Sequence, residues 1–257
     1  MRLLVRGFFS ALSFLTVIPI PQSLKSTRDN GMFAGYPAVG LLLGVFFSAF
    51  LFSARLLLSV PISTVLLLGV TLLLTGAIHL DGLADCADAF YGHRDRETTL
   101  RILKDPRIGT MGGAAIGLSL LARYAALVSV PQTAVLLVIP FATAFSRTSV
   151  LIAMRTLPYV RSSGILNPTV SMTPPLVALA CVVLLAILAV FPIPTAAAAL
   201  ALALFWRLSW RRIGGCTGDV LGATIEIGEI VFLVAFAGAE VLAFPLGGAW
   251  RLLGLPG

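Results

Sequence analysis

Apolar residues fill the chain in long runs, at about 33–58, 62–80, 112–130, 132–153, 174–191, 194–206 and 228–248, separated by proline, glycine and short polar stretches. A helix needs roughly 20 predominantly apolar residues to cross a hydrocarbon core of about 30 Å, and most of these runs approach that length. The pattern predicts an all-α polytopic membrane protein, a bundle of about seven transmembrane helices forming one integral membrane domain over residues 1–257. The opening stretch, MRLLVRGFFSALSFLTVIPIP, combines basic residues with a short apolar segment as a signal peptide does, but it has no clear small-residue cleavage site. It is expected to remain as an N-terminal interfacial or re-entrant helix.

The connections between runs fall into two classes. Val60-Pro61, Pro131-Gln132 and Pro192-Ile193-Pro194 are short and carry no lysine or arginine. The others hold Arg2, Arg6, Lys25 and Arg28, then Arg94, Arg96, Arg101, Lys104 and Arg107, then Arg155 and Arg161, then Arg207, Arg211 and Arg212. The two classes alternate along the chain. Because basic residues accumulate in cytoplasmic loops, this orients the N-terminus and every long polar loop of a multi-pass protein toward the cytoplasm. Arg55 and Arg251 fall near the outer surface, whereas Arg123 and Arg147 lie inside predicted spans. A guanidinium at mid-bilayer costs about 2.5–3.5 kcal/mol on insertion scales, so it snorkels, meets a partner or faces a wet cavity. Snorkelling suits Arg123; Arg147, deeper in its run, is the better candidate for a site.

Composition agrees with this reading. Hydrophobic residues make up 58% of the chain and charged residues 11%, against roughly 25% charged in soluble domains. The net charge of +7 resides in short loops instead of a patch on a polar domain, so a nucleic-acid partner is not expected and the bilayer is. Cys86, Cys181 and Cys216 are widely spaced and odd in number, which fits small packing residues better than a disulfide framework or zinc site.

The acidic residues are the chemical signal. Of 11 in the chain, Asp81, Asp85, Asp88, Asp95, Glu97 and Asp105 fall between positions 81 and 105. In HLDGLADCADAF, Asp81, Asp85 and Asp88 are spaced i, i+4, i+7, which puts them on one helical face if the second span continues as a helix into the cytoplasm. Three like charges with no interleaved base repel one another unless a cation sits among them, and all-oxygen ligands suit Mg²⁺ or Mn²⁺. Downstream, Arg94, Arg96, Arg101, Lys104 and Arg107 flank the acids, an arrangement suited to a polyphosphate held by metal and guanidinium together. Gly109, Gly112 and Gly113 precede the third span, where a free helix N-terminus also meets phosphate. His79 and His93 read as hydrogen-bonded interfacial residues. A second constellation, GGCTGDVLGATIEIGE at 214–229, carries Asp219, Glu226 and Glu229 at the opening of the last span. Carboxylates entering a membrane imply a partner or a cavity.

The stretch HLDGLADCADAFYGHRDRETTLRILKDPRIGT resembles the signature of the cobalamin synthases, the adenosylcobinamide-GDP ribazoletransferases. FLTVIPIP, YPAVGLLLG at 36–44 and GGCTGDVLGA at 214–223 resemble further segments of that family in the same order. Cys86 replaces an expected threonine, Ala89 a usual glycine and Val17 a common basic residue; no carboxylate is lost. The resemblance implies a Mg²⁺-requiring, cytoplasm-facing transferase of the bacterial inner membrane that joins adenosylcobinamide-GDP to α-ribazole or its 5'-phosphate and releases GMP, with other membrane-bound enzymes of cobalamin biosynthesis as neighbours. On this chain, Asp81, Asp85, Asp88, Asp219 and Glu226 are then the expected catalytic acids, the first three as metal ligands. Arg94, Arg96, Lys104, Asp105, Arg107, Gly109, Arg147 and Thr217 are the expected substrate-binding residues.

Two other functions use similar materials. CDP-alcohol phosphotransferases also set aspartates at the cytoplasmic end of a span, but in a register not met here, since Asp81-Gly82 comes first. A cation or proton transporter calls for carboxylates in mid-span and repetition between two halves, whereas here the acids cluster at span ends and no repeat is visible.

Overall fold

The computed structural model describes residues 2–25, 29–92, 94–161 and 173–243, which are almost entirely helical. In order these are α1 (Arg2–Leu15), α2 (Asp29–Ala34), α3 (Tyr36–Leu57), α4 (Val60–Thr75), α5 (Ile78–Phe90), α6 (Arg96–Ile102), α7 (Thr110–Ser129), α8 (Val135–Thr156), α9 (Pro174–Val190), α10 (Pro192–Ile213) and α11 (Gly218–Ala243). Arg28, His93 and Arg251, and the end of the last predicted run, lie outside the described residues.

Helices stand at all seven predicted positions. Among the described residues α3, α7, α8, α10 and α11 are each long and apolar enough to cross a membrane, and α4 with α5 forms a sixth candidate as a bent pair. At 16 and 17 residues, α4 and α9 reach only about 24–26 Å. Prolines sit in the first turns of α3, α4, α9 and α10, where the missing N–H has no helical partner to lose. At 14 residues α1 is too short to span, in keeping with an interfacial or re-entrant helix. It packs against α2 and α3.

The second span does not continue straight into the acidic segment, as the spacing suggested. Gly76 (φ 61°) and Ala77 (φ 55°) both adopt the left-handed conformation, and α5 leaves α4 at 89°. Glycine takes that conformation freely, but for alanine it costs roughly 1–2 kcal/mol. The last span departs from expectation too. It begins at Gly218 instead of near residue 228, so Glu226 and Glu229 lie within the helix, not at its mouth.

The central packing joins α3 to α8 and α11 to α5, α8 and α10. In α3, Gly40 and Gly44 form a GxxxG pair, the small-residue spacing that lets membrane helices approach closely. A β-carbon on Gly44 would come within 2.4 Å of the Pro140 Cα in α8. Helix ends sort into two faces. At one, the Arg55 guanidinium donates to the carbonyls of Leu127 (2.6 Å) and Val130 (2.9 Å), and the Gln132 amide to that of Phe52 (3.0 Å). At the other, Val17 N–H donates to Leu74 O, Cys216 N–H to Pro158 O and Arg96 Nε to Ile213 O, each at 2.8 Å. The long basic connections gather at this second face, as their alternation predicts.

Candidate active site

Because of the bend at Gly76-Ala77, α5 lies across the bundle end instead of through it. A β-carbon on Gly82 would sit 2.7 Å from the Asp219 carbonyl, so this glycine lets α5 rest directly on the first turn of α11. The bend thus carries Asp81, Asp85 and Asp88 over the starts of α11 and α7.

The three aspartates share one helix as expected but do different work. Asp88 caps α7: its carboxylate oxygens accept the Gly109 N–H at 2.7 Å and the Gly112 N–H at 2.9 Å. Those amides were expected to meet a substrate phosphate; the chain's own carboxylate occupies them. Asp85 is half-buried, and burial followed by the nearby Asp81 and Asp219 raises its carboxyl to about 7. Among the described residues no three His, Cys, Asp or Glu side chains are gathered closely enough to hold a metal ion by themselves. The trio of Asp81, Asp85 and Asp88 therefore does not converge as a ready-made ligand set.

Asp219 meets a residue that sequence reasoning counted only among the loop charges. Arg161 donates to its carboxylate at 2.7 Å and to the Leu103 carbonyl at 2.7 Å, while the buried Thr217 hydroxyl donates to Asp219 at 3.1 Å. The Arg161 Nε is buried and has no hydrogen-bond partner among the described residues. The backbone pairing of Tyr159 with Cys216 holds this loop in register with the start of α11. Two residues so distant in sequence share no spacing signal; only the isolated basic residue closing PYVR marked Arg161.

Beneath these groups is a cavity of 230 Å³. Its lining includes the polar groups of His79, Asp81, Arg161 and Asp219 together with Phe14, Tyr36, Val150, Tyr159 and Ile225. A second, open groove of 550 Å³ runs past Asp88, Arg94, Asp105, Arg107 and Gly109. In it Arg107 is bidentate on Asp105, at 2.9 and 2.7 Å, which holds that carboxyl down at about 2. Arg94 donates to the Asp88 carbonyl at 2.8 Å, and Lys104 is exposed. Arg96 instead docks α6 onto the end of α10 through the Ile213 carbonyl.

Glu226 and Arg147 are not part of this cluster. Arg123 binds Glu226 at 2.5 Å and Glu229 at 2.6 Å, and Arg147 pairs with the other oxygen of Glu229. All four side chains are buried, Arg147 to 2% exposure. Arg123 therefore does not snorkel, Arg147 is turned to a glutamate instead of a substrate, and Glu226 is committed to an arginine. Each of these four charges has a partner inside the bundle, the outcome that the cost of isolated charges demands.

Comparison with known proteins gives a consistent result. The family model for cobalamin-5-phosphate synthase matches residues 7–237. The chain is 35% identical to an adenosylcobinamide-GDP ribazoletransferase of Klebsiella pneumoniae (strain 342), over 90% of this chain and 99% of that protein. It is 38% identical to the protein of that name from Stutzerimonas stutzeri (strain A1501), over 88% of this chain and 96% of the other. The Escherichia coli O17:K52:H18 relative with the same name is 32% identical over 89% and 98%. No solved structure matches the chain.

Proposed function

The chain belongs to the cobalamin-5-phosphate synthase family, and we propose that it joins adenosylcobinamide-GDP to α-ribazole or its 5'-phosphate at the cytoplasmic membrane face, releasing GMP. One observation carries the reading onto this chain's own residues. Four segments far apart in sequence supply walls of one cavity: Phe14 and Leu15, then Tyr36, then Ile78, His79 and Asp81, then Gly218 to Gly222. Carboxylates and an arginine at such a cavity suit transfer of a phosphoryl group, a reaction governed by positioning and charge stabilisation.

In the reaction, a ribose hydroxyl of the acceptor forms a new bond to the phosphorus on the cobinamide side of the pyrophosphate. The bond between that phosphorus and the bridging oxygen breaks, and GMP departs with the oxygen. Asp219, oriented by Arg161 and Thr217, accepts the hydroxyl proton. Arg94 and Arg107, in the open groove beside α7, receive the negative charge passing to GMP. Glu226 is instead paired with Arg123 inside the bundle.

The donor set suits Mg²⁺, which commonly takes one or two carboxylates and completes its shell with substrate phosphate and water. Asp81 and Asp85 would hold it, and a divalent cation there would offset both the burial of the Asp85 carboxylate and its repulsion by Asp81 and Asp219. Bound there, Mg²⁺ supplies charge neutralisation to the pyrophosphate.

The test is GMP release by detergent-solubilised protein given adenosylcobinamide-GDP, α-ribazole phosphate and Mg²⁺. Release matched by a corrinoid product and abolished by EDTA is expected, with Asp85→Ala lowering turnover by about a hundredfold or more. Full activity of Asp85→Ala, or activity indifferent to EDTA, overturns the assignment of the metal.

A further inference from the structure

Given that reaction, the two concavities of the bundle end differ in what they admit. The cavity of 230 Å³ is lined mainly by apolar and aromatic residues, Phe14, Tyr36, Val150, Tyr159 and Ile225 among them, with His79, Asp81, Arg161 and Asp219 as polar groups. An apolar cavity of about 150 Å³ accepts a benzene ring. One half as large again accommodates a fused bicyclic ring, and is far too small for a corrin macrocycle. A guanine base is a poorer fit, because its edge carries several donors and acceptors and a mainly apolar wall leaves most of them unpaired. A benzimidazole has one free ring nitrogen, which a single donor from Tyr36 or His79 satisfies. Arg161, among the polar groups that line the cavity, has a buried Nε with no hydrogen-bond partner among the described residues.

We propose that this cavity is the acceptor subsite: it takes the bicyclic aromatic base of a nucleoside between α1, α3, α8 and α11, with the ribose at Asp81 and Asp219 and the Arg161 guanidinium group beside the ribose or its 5'-phosphate. This rests on the transferase reading. It adds the division of labour, with the nucleoside enclosed in the bundle and the pyrophosphate of the donor in the open groove along Arg94 and Arg107. It also makes Phe14, Tyr36 and Val150 determinants of base size.

The inference is tested by shrinking and enlarging the cavity. Val150→Phe fills it and is expected to raise the KM for α-ribazole about 10- to 100-fold, leaving the KM for adenosylcobinamide-GDP unchanged. Phe14→Ala, on a half-buried side chain whose loss the fold tolerates better, is expected to shift preference toward a ribonucleoside with a larger base. Calorimetry of α-ribazole alone against the full-length protein in detergent is expected to give binding that Val150→Phe weakens by a similar factor. If neither variant alters acceptor KM or base preference, or if the donor KM rises instead, the cavity is not the acceptor subsite. Should the unaltered protein release no GMP at all, the reaction itself is misassigned, and the calorimetric comparison still decides what the cavity binds.

Discussion

Individual side chains here divide between holding the bundle end together and facing its concavities, and residue type alone does not say which. Asp85 and Asp88 are three residues apart on one helix, yet Asp88 spends both oxygens on the amides that open α7 while Asp85 sits among other carboxylates. Their alanine variants should therefore differ in kind. Asp88→Ala should lower stability by about 1 kcal/mol, the usual worth of a helix cap. Asp85→Ala should leave the thermal midpoint in detergent unchanged or slightly raised, because it removes a repelled charge. Equal midpoints for the two variants would contradict the cap. Spacing made the acidic face legible in the sequence, since i, i+4, i+7 survives as one face of α5. The partners of those acids were not legible. Asp219 with Arg161 and Glu229 with Arg123 and Arg147 are contacts between elements distant in sequence, and no periodicity encodes them.

Among the elements, the α4–α5 junction does most to shape the site. Hydropathy marked an apolar run ending at about residue 80, where the structure has α4 and the start of α5 as a bent pair; it carried no sign of a right-angle turn at Gly76 and Ala77. The glycine was visible, but a glycine in an apolar run serves packing as often as turning, and an alanine in the left-handed conformation leaves no mark on composition. The start of α11 was misjudged for a related reason. GGCTGDVLGA is rich in residues that favour loops, and its helix is stabilised by burial against α5, which outweighs local propensity. The strain at Ala77 makes a prediction. Ala77→Gly removes the cost of a left-handed alanine and should stabilise the protein by about 1 kcal/mol, read as a raised thermal midpoint. A lowered midpoint would mean that the Ala77 methyl group contributes contacts worth more than the strain.

At the scale of the whole molecule, the alternation of basic and neutral connections correctly sorted the helix ends into two faces, because topology depends on loop charge and span count and needs no tertiary detail. Its remaining content is testable in cells. With Cys181 changed to alanine, Ser59→Cys should react with a membrane-impermeant maleimide on intact cells, and Lys104→Cys only after permeabilisation; the reverse pattern would invert the orientation. Both positions are exposed in the structure. The network inside the bundle bears on how the protein is made. Arg123 arrives in α7 and Arg147 in α8, but their glutamates are both on α11, the last described helix. During synthesis two guanidinium groups enter the bilayer well before their counter-ions exist, each at a cost of about 2.5–3.5 kcal/mol on insertion scales. A chain halted before α11 is thus left with a defect that membrane quality control can recognise. Since α11 also brings Asp219 to the cavity, the ribosome delivers the closing of the bundle and the completion of the site in the same step.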